Sequence, residues 1–163
     1  MRIAFIIASL SMGLRMALFS TGHAPEPPFY MPAHLFALVL IPFLVGRAEL
    51  LASPEASIMQ LFREGLRASA LYVLLTGFFL YAFYTWMDVT SFPVHVNALV
   101  DQAVLAGKDE ADARARFSEF FSPFNYASLS FFLMLLLAAF NTLLVTVLLH
   151  KVVRPLVRTR QAM

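Results

Sequence analysis

The sequence predicts an all-α membrane protein with four transmembrane helices and an extracytoplasmic amphipathic helical hairpin between spans three and four. Of its 163 residues, 60% are hydrophobic and only 13% are charged, against about 45–50% and about 25% in an ordinary soluble domain. Two charge-free runs, residues 68–87 and 124–149, reach the roughly 20 apolar residues that a spanning helix needs. We therefore expect a single integral-membrane domain over residues 1–163, a four-helix bundle in a lipid bilayer.

The composition also excludes several classes of function. The chain has no cysteine, so disulfides, thiolate chemistry and cysteine zinc sites are absent. It contains no glycine-rich phosphate loop, no G-x-S-x-G elbow and no H-E-x-x-H helix. We expect a protein that is not an enzyme, needs no cofactor and does not bind nucleic acid.

The first two predicted spans, about residues 3–19 and 30–47, are the less regular ones. The first is apolar except for Arg15; a signal peptide is the alternative, disfavoured because Arg15 interrupts the apolar region and no small-x-small cleavage site follows. The apolar centre of the second, residues 35–45, contains Pro42 and covers about 17 Å as a helix, against roughly 30 Å of hydrocarbon. It can span only by recruiting its flanks, and a re-entrant hairpin of the first two runs is the alternative.

The third and fourth spans, about residues 67–88 and 124–149, are joined to the rest by helical connections. Ser53 followed by Pro54 predicts the start of an interfacial helix that runs into the third span. In the outer segment, residues 94–122, we expect two short helices whose apolar stripes cover the mouth of the bundle. The first stripe ends at Gly107, and Asp109 caps the second helix. The members of the first stripe are Val96, Leu99, Val100, Ala103 and Val104.

The placement of lysine and arginine predicts that both termini are cytoplasmic. Four spans put eight of these residues on the terminal side of the membrane and three on the other, with Arg15 inside a span. The eight are Arg2, Arg47, Arg63, Arg67, Lys151, Arg154, Arg158 and Arg160, and the three are Lys108, Arg114 and Arg116.

The order of elements resembles a family of small bacterial four-span inner-membrane proteins, a domain of unknown function found mostly in Bacteroidota. The resemblance rests on Phe62-x-x-Gly65 entering the third span, on an aromatic exit closed by Asp88, on Phe121-Ser122-Pro123, and on the long last span with its basic end. It implies the four-span architecture and a bacterial inner-membrane location, and it implies no catalytic residues.

Arg15, Asp88 and Asn141 are the candidate structural or ligand residues. An arginine inside a span is costly, so Arg15 either contacts an anion such as a lipid headgroup or forms an ion pair near the interface. Because Asp88 ends the third span at the same outer interface, we expect an Arg15–Asp88 contact. Asn141 is the only strongly polar side chain in the middle of the last span. Packing inside the bundle is favoured for it, and a dimer or partner interface is the alternative.

Two further sets of side chains have ordinary explanations. His23, His34 and His95 fall on the outer side near Glu26, but a zinc site would need three separate loops to converge, so we expect no metal. The aromatic residues at the exit of the third span are typical of an interfacial belt; among them are Tyr81, Tyr84 and Trp86.

Three functions are compatible with these features. The favoured one is a non-catalytic accessory or scaffold subunit. The second is a small transporter or lipid-binding protein with a headgroup site near Arg15 and the outer hairpin. The third is a metal-dependent membrane enzyme acting at the outer face. The expected partners are membrane lipids, with other membrane subunits or further copies of the chain as additional ones.

Overall fold

A computed structural model describes residues 1–22 and 30–161, and every regular element in them is helical. The elements, in chain order, are α1 (Arg2–Ser20), α2 (Met31–Ala52), α3 (Ile58–Trp86), α4 (Ser91–Leu105), α5 (Glu110–Phe120), α6 (Pro123–Leu148), a π-helix (Leu149–Val153) and α7 (Arg154–Gln161). Within this part of the chain, four helices are long and apolar enough to cross a membrane: α1, α2, α3 and the continuous run Pro123–Val157. Four such helices were predicted, so the number of helices with the length and composition of a span is confirmed.

The chain divides into two compact units, which are described separately. The first contains residues 1–76 and the chain from residue 132 onwards. The second, residues 77–131, contains the end of α3, the helices α4 and α5, and the beginning of α6.

The second span is longer than its apolar centre indicates. Its 22 residues cover about 33 Å, enough for the hydrocarbon layer. Pro42 lies inside it and is buried. A proline removes one backbone hydrogen bond, which helices of membrane proteins tolerate when neighbouring groups compensate.

The prediction that a helix starts at Ser53 and Pro54 is wrong. Ser53 is the C-cap of α2, and its carbonyl accepts a hydrogen bond from the Ala56 amide in a turn. The cap of α3 is Ser57 instead, whose Oγ accepts from the Gln60 amide at 3.1 Å. Either serine could act as an N-cap, because its hydroxyl can accept a hydrogen bond from an amide in the first turn of a helix. Ser53 does not, because α2 continues through Ala52 and ends there.

In the first unit, α2, α3 and α6 approach closely at small residues. A Cβ built on Gly65 would meet Cγ2 of Thr142 at 2.9 Å and Cβ of Pro42 at 3.1 Å. A separate apolar cluster joins the α2–α3 connection to the end of the last span; its buried members are Leu50, Ala56, Leu61, Val145 and Leu149.

In the second unit, α4 and α5 bury their apolar faces against each other. The joining turn contains Gly107 at φ +80°, a left-handed conformation that favours glycine, and Asp109 Oδ1 accepts from the Asp112 amide as predicted. Val96, Val100 and Ala103 of the predicted stripe are buried, whereas Val104 is exposed. Positions 96, 100 and 103 share one helix face, and they pack with Ala113, Phe117 and Phe121.

Large apolar side chains point outward on several of the long helices, as lipid-facing residues do. Leu10, Phe36, Phe78, Phe132 and Leu136 are each about two-thirds exposed. Exposed apolar surface of this extent is unfavourable in water and suits a multi-pass membrane protein.

Candidate functional site

Arg15 is buried in the first unit, where it stacks on an aromatic ring. Its side chain is 5% exposed, and its Cζ lies 4.2 Å from the centroid of the Tyr30 ring. Tyr30 precedes the first residue of α2, so the contact ties α1 to the start of the second span. The ring face stabilises the cation, and desolvation strengthens that attraction.

The Tyr30 hydroxyl is a second polar group at this place. Its oxygen is buried and has no hydrogen-bond partner among the described residues. Burial raises the pKa of the Tyr30 phenol above its ordinary value of 10.0, and the neighbouring Arg15 charge offsets part of that rise. At neutral pH the phenol is therefore protonated and can donate a hydrogen bond beside the guanidinium.

His34 and Tyr72 extend this polar cluster from α2 to α3. The Nδ1 of His34 lies 2.7 Å from the hydroxyl of Tyr72, which is fully buried. His34 follows Tyr30 by four residues, which places the two on one face at the start of α2. We call Arg15, Tyr30, His34 and Tyr72 the Arg15 cluster.

The sequence predicts only part of the Arg15 cluster. Arg15 is a candidate site residue there, His34 is expected to be an ordinary interfacial histidine, and Tyr30 and Tyr72 are not among the predicted site residues. The available signal was a tyrosine inside a charge-free span, because a buried phenol needs a polar partner.

Asp88 lies in the second unit and caps the start of α4. Its side chain is 8% exposed. Oδ1 accepts from the Ser91 amide at 3.1 Å and from Oγ1 of Thr90 at 3.5 Å, and Oδ2 accepts from Oγ of Ser91 at 2.6 Å. The carboxylate is therefore already hydrogen-bonded to the first residue of α4, as a helix-capping group is. The Arg15–Asp88 contact would join the two units and stays a prediction.

Asn141 is half-buried on α6, and its amide has no hydrogen bond with any residue that the structure describes. The adjacent Thr142 is fully buried, as is Thr146 one turn further on. The small residues of this helix therefore pack inside the first unit, whereas Asn141 lies at the edge of that packing.

Of the three histidines in the predicted outer group, His34 and His95 lie in the described residues. His23 and Glu26 lie outside the described residues. The ring of His95 stacks edge-on against Phe121 at 4.8 Å between centroids. Within residues 1–22 and 30–161, no three His, Cys, Asp or Glu side chains come together as a metal site.

The aromatic residues at the exit of α3 divide into two groups. Trp86 is 74% exposed, as expected of a belt residue. Tyr84 is buried instead and stacks edge-on with Phe92 and Tyr126 at 4.8 and 5.2 Å between centroids.

A cavity of about 460 Å³ opens beside this aromatic cluster in the second unit. Its walls include Tyr84, Phe92 and Phe121, and Arg114 lies at its polar side. Nη1 of that arginine donates to Oδ1 of Asn97 at 2.7 Å, and Nη2 lies 3.1 Å from Glu110. The cavity can hold a small apolar group, while its cation is already paired.

No family model, curated protein or solved structure matches the chain.

Proposed function

We propose that the protein is a non-catalytic, multi-pass membrane protein that holds an anionic lipid headgroup at the Arg15 cluster, in the manner of an accessory or scaffold subunit. The observation that carries the proposal is the buried Arg15 guanidinium stacked on Tyr30, whose own hydroxyl is buried and has no partner among the described residues. The Tyr30 hydroxyl offers an O–H donor to an anion beside the positive charge of Arg15. Arginine suits phosphate recognition because its planar fork presents five donors.

The surroundings of the site favour binding over reaction. Nδ1 of His34 lies 2.7 Å from the Tyr72 hydroxyl, and this contact links the start of α2 to α3. The pair therefore serves to hold the cluster in place. Many large side chains on the spanning helices face outward, where acyl chains can pack beside a bound headgroup.

The proposed location is the bacterial inner membrane with both termini cytoplasmic, and the family resemblance is part of the same proposal. The eight-to-three distribution of lysine and arginine supports the orientation. In it, the Arg15 cluster lies towards the outer leaflet. A reporter that is active only in the periplasm, fused after Arg160, should give no signal; a strong signal would reverse the orientation.

Native mass spectrometry of the detergent-purified protein tests headgroup binding. We expect retention of added phosphatidylglycerol, weaker retention of phosphatidylcholine, and none of inorganic phosphate. Arg15→Gln should reduce phosphatidylglycerol retention about 10-fold or more, since hydrogen bonds to charged groups contribute about 1.5–3 kcal/mol. Tyr30→Phe keeps the ring and removes only the donor, so its loss should be smaller.

Arg67→Gln is the matched control, because Arg67 is exposed and pairs with Glu64 on the surface of α3. It should bind like the unaltered chain. Equal retention by the Arg15→Gln and Arg67→Gln variants would refute the proposed site. Mass spectrometry of proteins recovered with the chain in mild detergent tests the accessory role, and a reproducible stoichiometric partner is the expected result.

A further inference from the structure

Asn141 combines a position deep in the last span with an amide that lacks an internal partner. It lies near the middle of the apolar run Pro123–Val157 and is half-buried. No hydrogen bond joins its side chain to the described residues. A primary amide in hydrocarbon is unfavourable unless it is hydrogen-bonded, and such residues in spanning helices commonly bond across to another helix.

The neighbours of Asn141 on the outer side of α6 form a regular seam. Leu137, Leu144 and Leu148 lie four residues before it, three after it and seven after it. Leu144 and Leu148 are 53% and 46% exposed, and Leu137 is half-buried. The spacing of four, three and four residues is that of two helices packed as a left-handed coiled coil, with asparagine at an a position and leucine at d.

The adjoining side of the same helix is already used inside the first unit. Ala138, Thr142 and Val145 are all buried. A side chain at position 141 lies at the border of these two faces, next to the leucines of the seam. The seam, Leu137–Asn141–Leu144–Leu148, is therefore available to another chain.

The chemistry of the seam fits a second copy of this chain. Two copies inserted with the same orientation can be related by a two-fold axis along the membrane normal, which brings each residue to its own counterpart at the same depth. An amide carries both donors and acceptors, so two asparagines can bond to each other. A different subunit would have to supply its own polar group at that depth.

We propose that the protein forms a parallel homodimer through this seam, with the two Asn141 amides hydrogen-bonded across the two-fold axis. The inference is independent of the Arg15 cluster, since it concerns another helix and another contact.

The absence of cysteine allows a direct test in proteoliposomes at low protein density. Leu144→Cys places one thiol in the seam. Leu143→Cys is the matched control, because it is the adjacent residue, is 51% exposed against 53%, and points away from the seam. On oxidation, the Leu144→Cys chain should form a covalent dimer and the Leu143→Cys chain at least fivefold less.

Substitution of Asn141 in the Leu144→Cys chain then tests the amide itself. Asn141→Leu should reduce the cross-linked dimer at least fivefold, whereas Asn141→Gln keeps an amide and should retain most of it. Asn141→Leu makes the span more apolar, so insertion should persist, and helical content by circular dichroism verifies this. Equal cross-linking at positions 143 and 144, cross-linking unaffected by Asn141→Leu, or cross-linking of the Leu144→Cys thiol to a different protein in place of a second copy would each overturn the proposal.

Discussion

Gly65 of α3 faces Thr142 of α6 so closely that a Cβ at Gly65 would lie 2.9 Å from the Thr142 Cγ2. On the other side, the same Cβ would meet Cβ of Pro42 at 3.1 Å. Neither neighbour can withdraw easily, because one is a β-branched side chain and the other is a proline ring inside a helix. Three helices of the first unit thus meet at a position that only glycine fits.

Gly65→Ala should therefore destabilise the protein despite the higher helix propensity of alanine. Overpacking of a tight site costs about 1–3 kcal/mol, more than the roughly 1 kcal/mol that alanine gains over glycine in a helix. Thermal unfolding in a mild detergent measures the change, and the melting temperature should fall.

Gly13→Ala is the matched control, because Gly13 is also helical and nothing lies within 4 Å of its Cβ position. That variant should be as stable as the unaltered chain or more so. Adding Thr142→Ser to Gly65→Ala removes Cγ2 and should restore part of the loss. If Gly13→Ala and Gly65→Ala had the same melting temperature, the close approach of the helices at Gly65 would not contribute to stability.

The spans were predictable because the lipid-facing and buried sides of a membrane helix are both apolar, so charge-free runs stand out. The ends were harder: α2 extends past residue 47 to Ala52, and the helix start assigned to Ser53 belongs to Ser57. Both serines carry the same capping chemistry, and only the path of the chain decides between them.

The residues of the candidate site that could be predicted are those whose side chains are unfavourable inside a membrane span. Arg15 and Asn141 are conspicuous because charge and amide are unfavourable in a span. The rest of the Arg15 cluster was not, because its members are separated in sequence. Tyr30 meets Arg15 only where α1 and the start of α2 pack, and His34 meets Tyr72 only where α2 and α3 pack. Contacts between side chains on different helices follow no periodic pattern in the sequence, so the sequence alone does not predict them.

The hydrogen bond between His34 and Tyr72 should be visible in a double-mutant cycle. Tyr72→Phe leaves the His34 Nδ1 without this partner in a largely buried place, which should cost about 1–3 kcal/mol. His34→Leu leaves the buried phenol unpaired and should cost a similar amount. Because the double variant removes both polar groups, its loss should be smaller than the sum of the two single losses. Strict additivity would mean that the bond contributes nothing.

Asp88 should be needed as a hydrogen-bond acceptor more than as a charge. Asp88→Ala removes the acceptor of the Ser91 amide and should cost about 0.5–2 kcal/mol, as loss of a helix cap does. Asp88→Asn keeps a side-chain oxygen and should retain most of the stability. If Asp88→Asn lowered stability as much as Asp88→Ala, the carboxylate charge would be essential, and the predicted contact with Arg15 would be favoured. Recovery of stability by the exchanged pair, Arg15→Asp with Asp88→Arg, would then establish that contact.

Two arginine–glutamate pairs of nearly equal length should differ in what they contribute. Nη2 of Arg154 lies 3.1 Å from Glu55, and Nη1 of Arg67 lies 3.0 Å from Glu64. The first arginine is only 15% exposed, and the second is 54% exposed. Because Arg154 is the more buried of the two, replacing it should lower the free energy of unfolding more than replacing Arg67.

Arg154 also has partners that its exposed counterpart lacks. Its Nε donates to the Pro54 carbonyl at 2.8 Å, and its Nη1 lies 2.7 Å from Nε2 of His150. The contacts hold the α2–α3 turn against the end of the last span, just after the π-helix. Arg154→Leu should therefore lower stability by about 1–3 kcal/mol, because it removes the donor to a partly buried carbonyl.

The exposed arginine is the control for this substitution. Arg67→Leu should change stability by less than about 1 kcal/mol, since exposed ion pairs contribute little. Glu55→Gln should also be mild, because the Glu55 side chain is 79% exposed and the bond to the Pro54 carbonyl remains. Chemical unfolding in detergent, followed by circular dichroism, compares the three variants. A Glu55→Gln loss as large as that of Arg154→Leu would assign the stabilisation to the ion pair and contradict the role given to the Pro54 carbonyl.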